Sequence, residues 1–187
     1  FWEREDERKI NRTKILFIGN DGRREYDLVL QIAKAMPQYE FLLITSNIEL
    51  SLIESDNVKL IKGSWNKRIL SDHQLKDYYH QGLLSIIPIK NTYQPSGQSV
   101  ALQSMSMKVP VLISDTIGFW DKEMFINNEN IFFISDNNLD TWVDRIQKLL
   151  SDTQLTNMVS LNGNKTAVEN YDSEYFYNSL NKIIFNS

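Results

Sequence analysis

The stretch Leu83-Leu84-Ser85-Ile86-Ile87-Pro88-Ile89-Lys90-Asn91-Thr92-Tyr93-Gln94-Pro95-Ser96-Gly97-Gln98-Ser99-Val100-Ala101-Leu102-Gln103-Ser104-Met105-Ser106-Met107-Lys108-Val109-Pro110-Val111-Leu112-Ile113 decides the fold. It opens on a short apolar run and crosses a polar loop. It then enters a helical pattern from about Gln98 to Met107 and closes on a second apolar run, Pro110 to Ile113. Continuous apolar runs of this length are the mark of strands buried on both faces, and a helix between two of them makes a parallel crossover unit.

The same alternation extends in both directions. Upstream lie the runs Ile15-Leu16-Phe17-Ile18, Phe41-Leu42-Leu43-Ile44 and Val58-Lys59-Leu60-Ile61. Helical patterns stand among them at about Glu25 to Met36, ended by Pro37, and at Leu70 to Tyr79. Downstream lies Ile131-Phe132-Phe133-Ile134, then three helical patterns, Leu139–Leu150, Thr153–Glu169 and Ser173–Ile184. The expected fold is α/β: a doubly wound, Rossmann-like parallel sheet of about six strands flanked by helices, in one domain over 14–187. Residues 1–13, with the charged run Phe1 to Lys9, are expected to be a linker from a preceding domain. They contain no apolar core of a signal peptide.

Composition narrows the function classes. The chain has 187 residues, 42% hydrophobic and 24% charged, which is enough for a full core and too apolar for disorder. Its net charge of -4 argues against a nonspecific nucleic-acid binder. It has no cysteine, which removes disulfides, thiol nucleophiles and thiolate metal sites. No stretch is long and apolar enough to span a bilayer. The two histidines, His73 and His80, fall on or beside one helix away from the strand-end loops, and read as surface residues.

Ligands of a doubly wound sheet bind outside the carboxyl ends of its strands. The relevant loops are therefore Gly19 to Arg24, Gly63 to Arg68, Pro88 to Gln98 and Ser114 to Trp120. The first, Gly19-Asn20-Asp21-Gly22-Arg23-Arg24, is neither a dinucleotide fingerprint nor a P-loop. Two arginines at a helix start oppose the helix dipole unless an anion sits there. The other reading is a solvated pair, or one paired with Glu25 or Asp27. In the fourth loop, Gly97 lets the backbone approach a ligand. Ser96 or Ser99 can cap the helix, and the helix start offers N–H groups to a phosphate or sugar. Ser99, Gln103 and Ser106 share one polar stripe, with Ala101, Leu102 and Met105 facing the core. Spacing alone reads Gln103 as a solvated helix glutamine.

Pro95 to Ser114 resembles the central motif of glycosyltransferase family 4: a Glu, a Gly-containing turn, a second Glu, Ala-Met-Ala, a Gly-Lys-Pro-Val turn and a strand. The likeness continues through Asp115-Thr116-Ile117-Gly118 and Asn128-Glu129-Asn130. Ile15-Leu16-Phe17-Ile18-Gly19 with Arg24 is similar to the family's first strand and phosphate loop, and Gly63 with Tyr78-Tyr79 to the region near the nucleotide base. This sequence departs from the family pattern at several positions. Gln103 stands at the second Glu, and Gln94 lies nearest the first with one residue too many between them. Glu25 follows Arg24 where many members have Lys, and Lys108-Val109 replaces Gly-Lys.

The resemblance implies the C-terminal, donor-binding half of a two-domain GT-B enzyme that is retaining and independent of metal or cofactor. Its substrate would be a nucleotide-diphosphate sugar, from which a hexose-type sugar passes to a saccharide or lipid-linked acceptor held by the N-terminal domain. Arg24 would be the catalytic residue, neutralising the departing diphosphate. The donor would be held by Gly19, Arg23, Arg24, Gly63, Gln94, Ser96, Gly97, Gln98, Ser99 and Gln103, with Gln103 on the ribose. The implied place is the cytoplasm, including the inner face of the membrane, and the implied role is polysaccharide or glycolipid biosynthesis. The isolated chain is expected not to turn over, since half of the cleft lies elsewhere. The departures equally suit an inactive nucleotide-sugar-binding or interaction module. A two-domain epimerase would need carboxylates and histidines in strand-end loops, and a receiver-like domain an acidic pocket that Asp21 alone does not make.

Overall fold

A computed structural model describes residues 12–63 and 69–185. The expected linker up to residue 11, and the third loop from 64 to 68, lie outside them. Six strands and three helices follow in the order β1 (Lys14–Ile18), α1 (Tyr26–Ala35), β2 (Glu40–Ile44), β3 (Val58–Ile61), α2 (Asp72–His80), β4 (Gly82–Ile87), α3 (Gln98–Ser106), β5 (Val111–Ser114) and β6 (Phe132–Ile134). Three helices come after the last strand: α4 (Leu139–Ser151), α5 (Thr153–Asn170) and α6 (Ser173–Phe185). All pairings are parallel, in the order β3-β2-β1-β4-β5-β6.

Period-two side-chain alternation sends the apolar runs to both faces of this sheet. Ile15, Phe17, Phe41, Leu43, Leu84 and Ile86 face α1 and α4, where they meet Val29, Ile32, Trp142 and Ile146. Leu16, Ile18, Leu42, Ile44, Ile87 and Ile113 face the other way, onto Leu75 and Tyr79 of α2 and Val100 and Met105 of α3. Each such aliphatic side chain, fully withdrawn from water, contributes about 1.5–3 kcal/mol relative to exposure. That is why the runs at these positions are almost wholly apolar, and why the one buried polar side chain of β4, Ser85, is matched by the Ser104 hydroxyl at 3.0 Å.

Local chemistry sets the helix starts. Ser71 Oγ accepts the Gln74 N–H at 3.2 Å while Gln74 Oε1 accepts the Ser71 N–H at 2.9 Å, a reciprocal cap that begins α2 at Asp72. Asn138 and Asp152 cap α4 and α5. The turn into β5 passes through Lys108 at φ 54°, where the family pattern has a glycine. Its carbonyl is held by the Ser160 hydroxyl at 2.7 Å and by the Arg12 guanidinium, which also donates to Met107 O at 2.8 Å.

The strand order contains one reversal. The chain winds β1 to β3 toward one edge, then returns beside β1 and winds β4 to β6 toward the other. The switch point lies between β1 and β4, so the crevice of the fold opens where the loops after these two strands part.

Candidate functional site: the crevice between the first and fourth loops

The two loops at the switch point are zipped at their base. Glu25 N–H donates to Pro88 O at 3.1 Å and Lys90 N–H to Arg23 O at 2.8 Å, which brings Arg24 opposite Ile89. Beyond this zip the loops diverge around an open cleft of about 470 Å³. One wall is Gly19, Asn20, Asp21, Arg23 and Arg24; the other is Pro95 to Val100, with Ser46 at the side.

Arg24 is the centre of the site. It is only 2% exposed, which contradicts the reading of a solvated arginine pair, as well as pairing with Glu25 or Asp27. It lies before α1 rather than on it, and its Nε is 3.0 Å from Asp21 Oδ2. Nε and Nη1 are both buried without a hydrogen-bond partner among the described residues, so the Asp21 contact is an ion pair without hydrogen-bond alignment. Burial lowers the guanidinium pKa, and the Asp21 carboxylate opposes that shift. A buried guanidinium whose Nε and Nη1 lack hydrogen-bond acceptors is an incomplete electrostatic arrangement, suited to a better-aligned anion.

Both glycines of the cleft make room for this side chain. A Cβ on Gly19 would lie 2.8 Å from Arg24 Nε, and one on Gly97 would lie 2.9 Å from Arg24 Nη1. Gly97 also has φ 82°, a left-handed conformation that turns the chain into α3. It is itself the N-cap, with no side chain capping the helix. The expected cap from Ser96 or Ser99 is therefore not formed. Ser96 Oγ instead donates across the cleft to the Asp21 carboxylate, at 3.1 Å from both oxygens, and Ser99 stands exposed at the helix start. The N–H groups of Gln98, Ser99 and Val100, the first turn of α3, have no acceptor within the helix.

Of the residues singled out by sequence, Gly19, Arg23, Arg24, Ser96, Gly97, Gln98 and Ser99 come together in the cleft. Gly63 sits behind it, its carbonyl accepting Asn20 Nδ2 at 2.7 Å. Gln94 and Gln103 are not among the residues lining it. Gln94 is exposed on the loop, its N–H turned to Thr92 Oγ1 at 3.1 Å. Gln103 Oε1 accepts the hydroxyl of Tyr79 at 3.0 Å, and burial raises the pKa of that phenol. The polar stripe ends in the helix itself, since Ser106 Oγ donates to Leu102 O at 2.9 Å.

Sequence reasoning gave no site role to Asn20, Asp21 or Ser46. Asp21 accepts the Arg23 N–H at 2.9 Å as well as Ser96 and the Arg24 contact. Asn20 Oδ1 accepts the Ser46 N–H at 2.6 Å, fixing the strand-end loop after β2 beside the first. For Asp21 the signal was present, since Asp in a strand-end turn accepts the backbone N–H two residues on, here that of Arg23; the partners of Asn20 lie on the loops after β2 and β3 and left no local signal. Among the described residues no cluster of three His, Asp or Glu side chains could hold a metal ion.

The sheet order and the arginine-bearing crevice at its switch point define the class: a Rossmann-like α/β domain whose ligand end is built from the first and fourth strand-end loops. A family profile described as "Glycosyl transferases group 1" matches residues 12–152, and the chain belongs to that family. No curated protein sequence matches it. Among solved structures it is similar to HepE of Anabaena in complex with UDP (TM-score 0.75, 14% identity, 95% of this chain and 50% of that one). It is also similar to sucrose-phosphate synthase of Thermosynechococcus elongatus (0.74, 17%, 93% and 45%). A third likeness is to the C-terminal domain of a group 1 glycosyl transferase, LpcC, of Francisella tularensis (0.68, 16%, 92% and 96%). The chain thus spans about half of the first two proteins and nearly all of the third. These likenesses establish the fold, the Rossmann-like domain seen in GT-B glycosyltransferases.

Proposed function

We propose that this chain binds a nucleotide-diphosphate sugar as the C-terminal half of a retaining, metal- and cofactor-independent hexosyltransferase. The acceptor, a saccharide or lipid-linked saccharide, would be held by an N-terminal domain, and the enzyme would work in the cytoplasm or at the inner face of the membrane. One observation carries the reading: the buried guanidinium of Arg24, with Nη1 unmatched, beside the start of α3 at the switch point. In this reading Arg24, aided by Arg23 and the first N–H groups of α3, stabilises the negative charge that builds on the diphosphate as the sugar leaves. The solved structures of HepE with UDP and with UDP-glucose support the choice of ligand class.

Titration of UDP, GDP and ADP against the chain, followed by thermal unfolding, tests it. A ligand at a hundred times its Kd stabilises a one-site protein by about 2.7 kcal/mol, so binding raises the midpoint measurably. At least one diphosphate should do so, and uridine, guanosine or adenosine should do so less. A midpoint unmoved by all three diphosphates at millimolar concentration sinks the reading.

A further inference from the structure

The cleft already contains an anion of its own. The Asp21 carboxylate accepts the Arg23 N–H (2.9 Å) and the Ser96 hydroxyl (3.1 Å), and forms an ion pair with the Arg24 guanidinium, Nε at 3.0 Å but not aligned as a hydrogen bond. All three donors border the same space. They are also the kinds of group that bind a phosphate: a backbone N–H, a hydroxyl and an arginine fork. Asp21 itself is not deeply buried; its side chain is 35% exposed, against 3% for Arg24. The carboxylate therefore has somewhere to go, whereas the guanidinium, packed against Gly19 and Gly97, does not.

We infer that Asp21 is a built-in counter-anion, which occupies the diphosphate position on Arg24 in the free protein and is displaced from it when ligand binds. The inference rests on the proposed donor site and adds a self-competition within it. Without ligand the buried arginine keeps a partner, which avoids an unpaired charge in a low-dielectric setting. With ligand, two anions would crowd one guanidinium, and like charges a few ångströms apart repel. The carboxylate must then swing toward solvent, releasing Ser96 and the Arg23 N–H to the phosphates. Because Asp21 joins the first loop to Ser96 in the fourth, its release also unlatches the two walls of the cleft.

The test compares wild type with Asp21→Asn by calorimetric titration of UDP, inorganic pyrophosphate and uridine. The neutral side chain should bind UDP and pyrophosphate about tenfold more tightly, the scale of removing one nearby like charge. Uridine should be unchanged, and the unliganded variant should melt lower than wild type. Wild-type binding of UDP that is equal to or stronger than that of a folded Asp21→Asn overturns the inference while leaving the donor site standing. Failure of both proteins to bind UDP or pyrophosphate overturns both. A crystal structure of the wild-type complex with UDP decides the question even if the variant does not fold. The carboxylate should lie more than about 4 Å from Arg24 Nε, beyond ion-pair reach; a carboxylate still paired there beside a bound diphosphate overturns the displacement.

Discussion

Arg24 and Gly97 compete for one volume: the guanidinium Nη1 lies 2.9 Å from where a Cβ on Gly97 would stand. Ile87 Cγ2 is as near, and Ile89 Cδ1 is at 3.2 Å. The turn into α3 and the arginine of the first loop are thus one fitted unit. A side chain at position 97 would strain the left-handed backbone and displace the arginine together. Gly97→Ala should therefore cost about 2–4 kcal/mol of folding stability, from the backbone penalty and the overpacked core, and should weaken UDP binding. Gly22→Ala, in the loop that carries Arg24, is the control. Nothing lies within 4 Å of its added methyl, so it should stay within about 0.5 kcal/mol of wild type in urea unfolding.

Arg24 substitutions should separate the diphosphate from the nucleoside. Arg24→Lys keeps a positive charge but loses the planar fork. Its affinity for UDP should fall about tenfold or more, in line with about 1.5–3 kcal/mol for a hydrogen bond to a charged group, while uridine changes little. Arg24→Ala should lose more UDP affinity than Arg24→Lys. Equal losses for UDP and uridine in either variant would remove Arg24 from the diphosphate. Salt gives a second readout, since only the charged ligand's binding should weaken steeply with ionic strength.

A stabilising change is available at the turn before β5. Lys108 holds φ 54°, a conformation that disfavours a residue with a Cβ by about 1–2 kcal/mol. Lys108→Gly removes that strain but gives the unfolded chain more freedom to lose. The balance should be a gain of roughly 0.5–1 kcal/mol, because the contacts to Ser160 and Arg12 use the backbone carbonyl, which glycine keeps. Urea unfolding of the two proteins checks it; a destabilised variant would show that the lysine side chain matters more than its backbone.

The range of the forces involved decides how much of this molecule is legible in its sequence. The six apolar runs and the helices between them are local patterns, and each reappears within a residue or two of its expected place. Arg24 was legible as a candidate site residue because two arginines at a helix start oppose the helix dipole and because its loop resembles the family's phosphate loop. Its burial was not legible, because it depends on Gly97, seventy-three positions away (97 − 24), opening space beside Ile87. The same holds for Ser96. Next to a helix start it reads as a cap, and only the zip between the first and fourth loops reveals Asp21 as its better partner. Local chemistry predicted a hydrogen bond for Ser96; tertiary geometry chose which one.

Gln103 is where the sequence resemblance and the structure make different demands. The resemblance places an acidic residue here to accept the ribose hydroxyls. In this chain the side-chain oxygen already accepts from Tyr79, whose ring is fully buried. That leaves the amide N–H2 and one lone pair of the shared oxygen for a ligand, without the second oxygen and the charge of a carboxylate. If Gln103 reaches the ribose, Gln103→Ala should weaken UDP and uridine by the same factor, since both carry the ribose, in contrast to the Arg24 variants. If it serves only Tyr79, Gln103→Ala and Tyr79→Phe should each lower stability by about 1 kcal/mol and leave both affinities alone. Gln103→Glu sharpens the choice. A carboxylate can accept from Tyr79 through one oxygen and from the ribose through the other, so uridine should bind more tightly than to wild type. An unchanged uridine affinity in a folded Gln103→Glu would confine position 103 to the support of α2 on α3.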